Sequence, residues 1–356
     1  MSAPESLPAS SSERPLRVVN AVAPIRILDN GGWTDTWFAE RGAVFNVGVL
    51  PYVAVQVMVY GAASRADRVT LHAENYGERY AVVPGVLPYV RHPLLEAAIA
   101  EMPLPDALAL EVNVHSDVPA GCSTGTSAAV TVALVGALDA LTPGRMLPHE
   151  VARTAHRIEA ERLGLQSGIQ DQICSAYGGV NYIEMAAYPH ATVTPVCVPD
   201  AVWWEFERRL VLVFLGRTHS SSAVHETVIA GLEREGAGAP RLEALRRTAA
   251  RSRDALLAGD FAALGRAMID NTEAQAALHP APVSADAHAV IALARTHGAL
   301  GWKVNGAGGE GGSLTLLCGP SAAERRRLLA ALPEVNPLFQ PIPVYLSRAG
   351  LRVWDG

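Results

Sequence analysis

The sequence predicts an α+β fold with two lobes. Strand-like patterns fill most of the first half of the chain and helical patterns most of the second, which is typical of α+β proteins. The length of 356 residues suits two domains, or one large domain with a deep cleft. The Pro-punctuated segment YPHATVTPVCVPD, residues 188–200, lies between the two halves. We therefore predict an N-terminal lobe at residues 15–190, a C-terminal lobe at residues 191–356 and a disordered Ser- and Pro-rich tail at residues 1–14.

The elements of the first half follow from the spacing of apolar residues. Alternation of apolar and polar residues predicts strands at 43–61 and 108–114. Helical spacing predicts helices at about 127–141, 148–163 and 168–177.

The second half opens with the apolar run RRLVLVFLG, residues 208–216, which predicts a buried strand. The stretches LGWKV and SLTLLC predict two strands around a Gly-rich turn, and SAAERRRLLAALP predicts a last helix before a short strand. Helical patterns lie at about 222–234, 241–257, 260–271 and 284–297.

Composition excludes several classes of partner. A net charge of -6 and a pI near 6.0 argue against general affinity for nucleic acid or anionic membranes. The longest apolar stretches are too short to span a bilayer, and the first residues lack the pattern of a signal peptide. The four cysteines contain no C-x-x-C pair, which favours reduced thiols. We predict a cytoplasmic protein, monomeric or homodimeric, that acts without a nucleic-acid or membrane partner.

A stretch of small residues precedes one predicted helix, in the segment DVPAGCSTGTSAAVTVALVGAL, residues 117–138. A helix start carries unpaired N–H groups and partial positive charge, so it attracts anions such as phosphate. Three interpretations compete: a Gly-rich turn capped by Thr126 and Ser127, a nucleophile elbow at Ser123, and a cradle for a nucleotide triphosphate. The elbow requires a strand that runs straight into the turn, whereas HSDVPA intervenes here. The cradle accounts for the absence of both bulky and charged side chains from PAGCSTGTSAA within this segment, because small residues let the backbone approach a phosphate closely.

The cradle is not a Walker A loop, because that motif requires Lys before Ser or Thr and the single lysine of the chain, Lys303, precedes Val304. A second glycine cluster, KVNGAGGEGGS, contains the spacing G-x-G-x-x-G at residues 303–313. It precedes a strand-like stretch, whereas a dinucleotide fingerprint opens a helix. It is either a flexible hairpin or a backbone platform that presses on a substrate or phosphate.

Two carboxylates lie twelve residues apart after the segment PAGCSTGTSAA, residues 119–129, which we call the phosphate loop. They are Glu159 and Asp171 in RIEAERLGLQSGIQDQ. In a functional interpretation Asp171 accepts a hydroxyl proton, while Glu159 and the Ser127 hydroxyl hold Mg²⁺. In the alternative, Asp171 only stabilises the start of its helix. A third candidate region, PIRILDNGGWTDT, places Arg26 on a strand and Asp35 beside Trp33 in a turn. This is either a sugar-binding corner or a capped turn whose tryptophan covers the core.

Together these segments resemble the GHMP small-molecule kinases over roughly residues 17 to 350. PAGCSTGTSAA resembles the phosphate loop of the heptose 7-phosphate kinases, and NGGWTDT is closest to the corresponding turn of the L-fucokinases. The Glu-to-Asp spacing is similar to that of galactokinases and heptose kinases, and KVNGAGGEGG resembles the third family motif. The resemblance implies an N-terminal lobe like domain 2 of ribosomal protein S5, which binds nucleotide and sugar, and a ferredoxin-like C-terminal lobe that carries the third motif.

The resemblance also assigns roles to individual residues. Asp171 would be the catalytic base with Arg26 beside it, Ser127 and Glu159 would hold Mg²⁺, and Asp35 would bind sugar hydroxyls. The expected substrate-binding residues are Asp35, Trp33, Gly32 and Gly168. The expected ATP-binding residues are Pro119, Gly121, Cys122, Ser123, Thr124, Gly125, Thr126, Ser127, Gly306, Ala307 and Gly308.

The sequence departs from the family pattern at Asn30, Ala128 and Glu310 but retains every proposed catalytic group. We expect an ATP- and Mg²⁺-dependent sugar kinase that phosphorylates the anomeric hydroxyl of an L-fucose-like sugar or a heptose 7-phosphate. A phosphorylated acceptor would need a second anion site, built by arginines or by His219. The alternatives are a non-catalytic nucleotide- or sugar-sensing protein and a GHMP kinase for another small alcohol.

Overall fold

The computed structural model describes residues 14–217, 221–279 and 282–356 of the chain. Within these residues the strands are β1 (Arg17–Asn30), β2 (Gly42–Gly61), β3 (Val69–Ala73), β4 (Glu78–Val82), β5 (Leu108–Ser116), β6 (Val180–Ala187), β7 (His190–Pro195), β8 (Leu210–Phe214), β9 (Gly301–Val304), β10 (Ser313–Leu317), β11 (Gln340–Ile342), β12 (Tyr345–Leu346) and β13 (Arg352–Asp355). The α-helices are α1 (Pro93–Glu101), α2 (Thr126–Asp139), α3 (Pro148–Arg157), α4 (Gln170–Tyr177), α5 (Asp200–Arg209), α6 (Ser221–Glu235), α7 (Pro240–Leu257), α8 (Phe261–Leu278), α9 (Ala285–Thr296) and α10 (Ala322–Val335).

Nine of these strands form the first sheet, in the order β13-β1-β2-β5-β3-β4, with β6 and β12 paired to β2 and β7 paired to β6. Every pair is antiparallel except β3 with β5. The alternating burial of β5 and the second half of β2 gives the sheet one face toward the core. Helix α2 lies under this sheet and is buried almost all round, because nearly all of its residues are small or apolar.

The remaining four strands form the second sheet, in the order β11-β8-β10-β9, with all neighbours antiparallel. One set of its apolar side chains packs with residues of α9 and α10 in a second core, whereas Leu210, Leu212, Phe214 and Leu317 belong to the core of the first sheet. The third glycine motif, within residues 303–313, is the loop of the second sheet that links β9 to β10. In the described parts of the chain, no helix has the length and apolarity needed to cross a membrane.

The predicted elements of the second half are present, with boundaries shifted by a few residues except for α8, which continues to Leu278. The helix predicted at 148–163 is α-helical to Arg157 and ends in a π-helical turn, Ile158–Arg162. The segment 188–200 contains β7, and the strands β12 and β13 return to the first sheet. The lobe boundary at residues 190 and 191 stays a prediction. The predicted tail lies outside the described residues, except for Arg14, as does His219.

Candidate active site

A cleft of about 630 Å³ brings together residues from widely separated parts of the chain. Its walls come from the end of β1 and the following turn, the loop before α2, the segment that joins α3 to α4, the third glycine motif and α6. Most of the predicted site residues line it, namely Arg26, Trp33, Asp35, Gly121, Cys122, Ser123, Thr124, Gly125, Thr126, Ser127, Glu159, Gly168, Asp171, Gly306 and Ala307.

Three predicted site residues are not part of the cleft lining and shape the loops behind it. The carbonyl of Pro119 accepts a hydrogen bond from the Cys122 N–H at 3.3 Å. Gly32 donates its N–H to the carbonyl of Asp29 at 3.0 Å, which closes the turn after β1. A Cβ on Gly308 would lie 2.1 Å from a backbone oxygen of the neighbouring chain segment, so this glycine permits close backbone packing.

The loop before α2 is pinned to β1 through backbone groups. The Arg26 N–H donates to the carbonyl of Thr124 at 2.9 Å, and Arg26 Nη1 donates to the carbonyl of Ser123 at 2.5 Å. Ser123 has a φ of 58°, which is a strained conformation for a non-glycine residue. Gly125, in the left-handed region, precedes the helix and supplies no capping side chain. The first N–H groups of α2 therefore begin at the wall of the cleft, as an anion site requires.

Arg26 and Asp171 form a bidentate ion pair inside the cleft. Arg26 Nε lies 2.7 Å from Asp171 Oδ1, and Nη2 lies 3.0 Å from Oδ2. Burial alone would lower the pKa of Arg26, but the charges of Asp171 and Asp29 outweigh it and raise this pKa above its ordinary value. Asp171 lies in the first turn of α4, and a Cβ on Gly125 would approach its Oδ2 to 3.0 Å. The carboxylate thus directly adjoins the phosphate loop.

Asp35 lies at the floor of the cleft with only 3% of its surface exposed. Its Oδ2 accepts the Gln170 N–H at 3.0 Å, at the start of α4. Burial raises the pKa of Asp35 to about 6, although this hydrogen bond opposes the shift. A Cβ at Gly168 would lie 2.1 Å from Asp35 Oδ2, so only glycine leaves room for the carboxylate there. The aromatic side chains of Trp33, Trp37 and Phe38 line the same cleft.

Glu159 lies on the π-helical turn, a local irregularity often found at functional sites. Its Oε2 accepts a hydrogen bond from the Ser167 hydroxyl at 3.0 Å, whereas its Oε1 is buried and has no hydrogen-bond partner among the described residues. Burial raises the pKa of Glu159 to about 7; the Ser167 hydroxyl opposes this shift and the Asp171 charge adds to it. The Ser127 side chain is exposed at the start of α2 and lines the same cleft. No group of three or more His, Cys, Asp or Glu side chains suited to a metal occurs in the described ranges.

The third glycine motif meets the phosphate loop from the second sheet. A Cβ on Gly306 would lie 3.2 Å from the Ser123 carbonyl oxygen and 3.3 Å from Arg26 Nη2. The Gly306 N–H donates to both carboxylate oxygens of Asp29, at 3.0 and 3.2 Å. Glu310, which departs from the family pattern, is exposed and does not line the cleft.

Several cleft residues have no counterpart in the sequence prediction. Asp29 stands in a largely apolar strand three residues after Arg26, and this carboxylate in PIRILDN is the signal that could have found it. Trp37 and Phe38 follow the predicted turn directly and form an edge-to-face pair. Ser167, which holds Glu159, carries no local signal because its partner is brought to it by the turn between α3 and α4.

Comparison with protein-family models places this cleft in a known context. Residues 92–179 match the N-terminal domain of the GHMP kinases, and this range contains the phosphate loop, Glu159 and Asp171. This part of the chain is a GHMP kinase N-terminal domain. The resemblance to the GHMP kinases that the motifs predict is confirmed by this match and by the kinases described below.

The curated relatives of this chain are named as kinases of different substrates. The D-glycero-α-D-manno-heptose 7-phosphate kinase of Campylobacter jejuni is 26% identical over 250 residues, 69% of this chain and 71% of that protein. The bifunctional fucokinase/GDP-fucose pyrophosphorylase of Arabidopsis thaliana is 25% identical over 311 residues, 82% of this chain but 29% of that longer protein. The mevalonate kinase of Thermococcus sibiricus is 29% identical over 254 residues, 68% of this chain and 69% of that protein.

Among solved structures, a D-glycero-D-manno-heptose 1-phosphate kinase from Bacteroides thetaiotaomicron matches with a TM-score of 0.72 and 21% identity. The match covers 94% of this chain and 98% of that chain. The predicted two-lobed α+β fold of the GHMP kinases is thereby confirmed.

Proposed function

We propose that the protein is an ATP- and Mg²⁺-dependent kinase that transfers the γ-phosphate to the anomeric hydroxyl of a monosaccharide. The observation that carries this proposal is the Arg26–Asp171 pair beside the phosphate loop, because it places a carboxylate next to the start of α2. Phosphoryl transfer depends mainly on positioning and on stabilising charge, and this arrangement supplies both.

In the proposed reaction Asp171 accepts the proton of the acceptor hydroxyl. An anomeric hydroxyl is more acidic than an ordinary alcohol, which suits a carboxylate base. Arg26 is fixed by its bonds to Asp171 and to the Ser123 carbonyl. It therefore holds the carboxylate in one orientation beside the start of α2. The N–H groups at the start of α2 bind the nucleotide phosphates, and Gly306 and Ala307 close the cleft beside them.

The donor set also fits Mg²⁺. The unpartnered, buried Oε1 of Glu159 would bind it together with the Ser127 hydroxyl. Mg²⁺ in kinases is commonly held by one or two protein side chains together with substrate phosphates, so a larger carboxylate cluster is not required. When bound, the ion would neutralise charge on the phosphates.

The charge of the cleft favours an acceptor without a phosphate of its own. Five carboxylates line it, at Asp29, Asp35, Glu159, Asp171 and Glu226. Among the described lining residues the only basic side chain is Arg26, which is already bound to Asp171. Asp35 and the aromatic side chains beside it suit the hydroxyls and apolar face of a free sugar, as in the L-fucose-like acceptor. The Campylobacter relative is named as a kinase of heptose 7-phosphate, so this acceptor is included in the test.

The test is ADP production by the purified chain with Mg²⁺, ATP and a panel of L-fucose, D-galactose, heptose 7-phosphate and mevalonate. Phosphorus NMR of the product identifies both the acceptor and the phosphorylated position. We expect a sugar 1-phosphate from the parent and a strong loss of activity in Asp171→Asn. Asp270→Asn is the matched control, because Asp270 on α8 is also paired with an arginine but does not line the cleft. Failure of the parent with every sugar would favour a sensing protein, and activity with mevalonate alone would move the acceptor to another small alcohol.

A further inference from the structure

The single lysine of the chain is buried in an ion pair that joins the two sheets. Lys303 lies on β9 of the second sheet with 1% of its surface exposed, and Asp29 lies on β1 of the first sheet with 2% exposed. Lys303 Nζ lies 3.2 Å from Asp29 Oδ1. Burial lowers the pKa of Lys303, and the Asp29 charge opposes this shift. A buried charge persists only where partners compensate for its lost hydration, so each member of the pair depends on the other.

The partners of this pair also hold both backbone groups of Gly306. Asp29 accepts the Gly306 N–H, as described above. Gln275 on α8 accepts a hydrogen bond from Lys303 Nζ at 3.1 Å and donates from its Nε2 to the Gly306 carbonyl at 2.8 Å. Lys303 additionally donates to the carbonyl of Val304. The orientation of the Gly306 peptide groups is thus determined by one connected, buried network.

Gly306 also lies directly beside the phosphate loop, next to Ser123 and Arg26. A shift of its backbone would change the space between the two loops. Asp29 lines the cleft and adds a second negative charge near Arg26. The pair is therefore placed to control the position of the third motif without itself being a base or a phosphate ligand.

We propose that the buried Asp29–Lys303 pair is a positioning device that fixes Gly306 against the phosphate loop and so sets the affinity for the nucleotide phosphates. The inference rests on the proposed function for the identity of the ligand. It assigns Asp29, Lys303 and Gln275 to nucleotide affinity and leaves acceptor binding to Asp35.

The test compares Lys303→Met, Asp29→Asn, their double variant and Gln275→Ala by calorimetric titration with Mg²⁺ and ADP. We expect Kd for ADP to rise about tenfold in each single variant, the scale of a lost hydrogen bond to a charged group. In the double variant we expect a smaller loss of ADP binding free energy than the sum of the losses in the two single variants, because no buried charge is left unpaired. In steady-state kinetics KM for ATP should rise while KM for the acceptor stays within about twofold.

The matched control is Ser252→Ala, which removes the buried hydrogen bond from Asn30 Nδ2 at 2.8 Å, also between the end of β1 and a helix. We expect this control to lower thermal stability but to leave Kd for ADP unchanged. If a charge variant does not fold, Gln275→Ala and the double variant decide, because neither leaves a single buried charge. Parent-like ADP affinity in the folded variants would overturn the proposal. If the parent binds ADP but phosphorylates no acceptor, the proposed function fails while the ADP titration still decides the role of the pair.

Discussion

Replacing Glu159 by Gln should stabilise the ligand-free protein at high pH while removing its response to magnesium. Burial raises the pKa of Glu159 from 4.5 to about 7, so the folded state keeps this proton over a range in which the unfolded chain has lost it. The free energy of unfolding therefore falls as the pH rises from about 4.5 to about 7, and above that range the loss is complete. A difference of about 2.5 pKa units corresponds to about 3 kcal/mol.

The variant has no carboxyl group to ionise, and its amide can still accept the Ser167 hydroxyl. It should be more stable than the parent by about 1 kcal/mol at pH 5 and about 3 kcal/mol at pH 8. A chain of this length has an unfolding entropy of about 0.75 kcal/mol/K, so the gain at pH 8 corresponds to about 4 °C in Tm. Thermal unfolding followed by circular dichroism at both pH values measures the difference.

Two comparisons make this prediction decisive. Glu161→Gln, at an exposed carboxyl two residues away, should change Tm by the same small amount at both pH values. Mg²⁺ with ADP should raise the Tm of the parent, because a ligand that binds only the folded state stabilises it, but should do so much less in Glu159→Gln. Equal pH dependence in parent and variant would refute the buried-carboxylate reasoning. An undiminished response to Mg²⁺ with ADP would refute Glu159 as the metal ligand.

Three further substitutions test the geometry of the cleft. Asp171→Asn should lower kcat about 10³-fold with little change in KM for ATP, measured by ADP release, and a loss below tenfold would remove Asp171 from the role of base. Gly168→Ala would place a Cβ 2.1 Å from Asp35 Oδ2. We therefore expect KM for the acceptor to rise about tenfold while KM for ATP is unchanged. A rise in KM for ATP alone would contradict the assignment of Asp35 to acceptor binding. Gly125→Ala should lower the free energy of unfolding by about 1–2 kcal/mol because of its φ of 66°, and urea unfolding that shows no loss would contradict the left-handed conformation.

Local signals explain which elements the sequence predicts. Helix α2 is evident from its own residues, since a continuous run of small and apolar side chains follows the glycines of the loop. Strand β7 is not evident, because prolines at 189 and 195 interrupt its segment and its hydrogen bonds come from β6. The strands β12 and β13 are too short to show a period, and their positions depend on pairing with β2 and β1.

The candidate site divides in the same way. The motifs around Arg26, Glu159 and Asp171 are visible in the sequence, and the structure brings these three residues into one cleft, although their roles stay predictions. The raised pKa values in the cleft depend on burial, which no motif reports. The Asp29–Lys303 pair depends on contact between two sheets, so neither residue carries a local pattern that would indicate its partner.

The burial of Lys303 also determines how the protein reacts with amine-directed reagents. Active esters acylate free amines, and the only side-chain amine of this chain is enclosed between the sheets and bound to three oxygen atoms. A dye or cross-linker of this type therefore does not reach the Lys303 side chain while the fold is intact. Acylation at position 303, followed by peptide mass spectrometry, requires separation of the two sheets, so its rate measures how often they part.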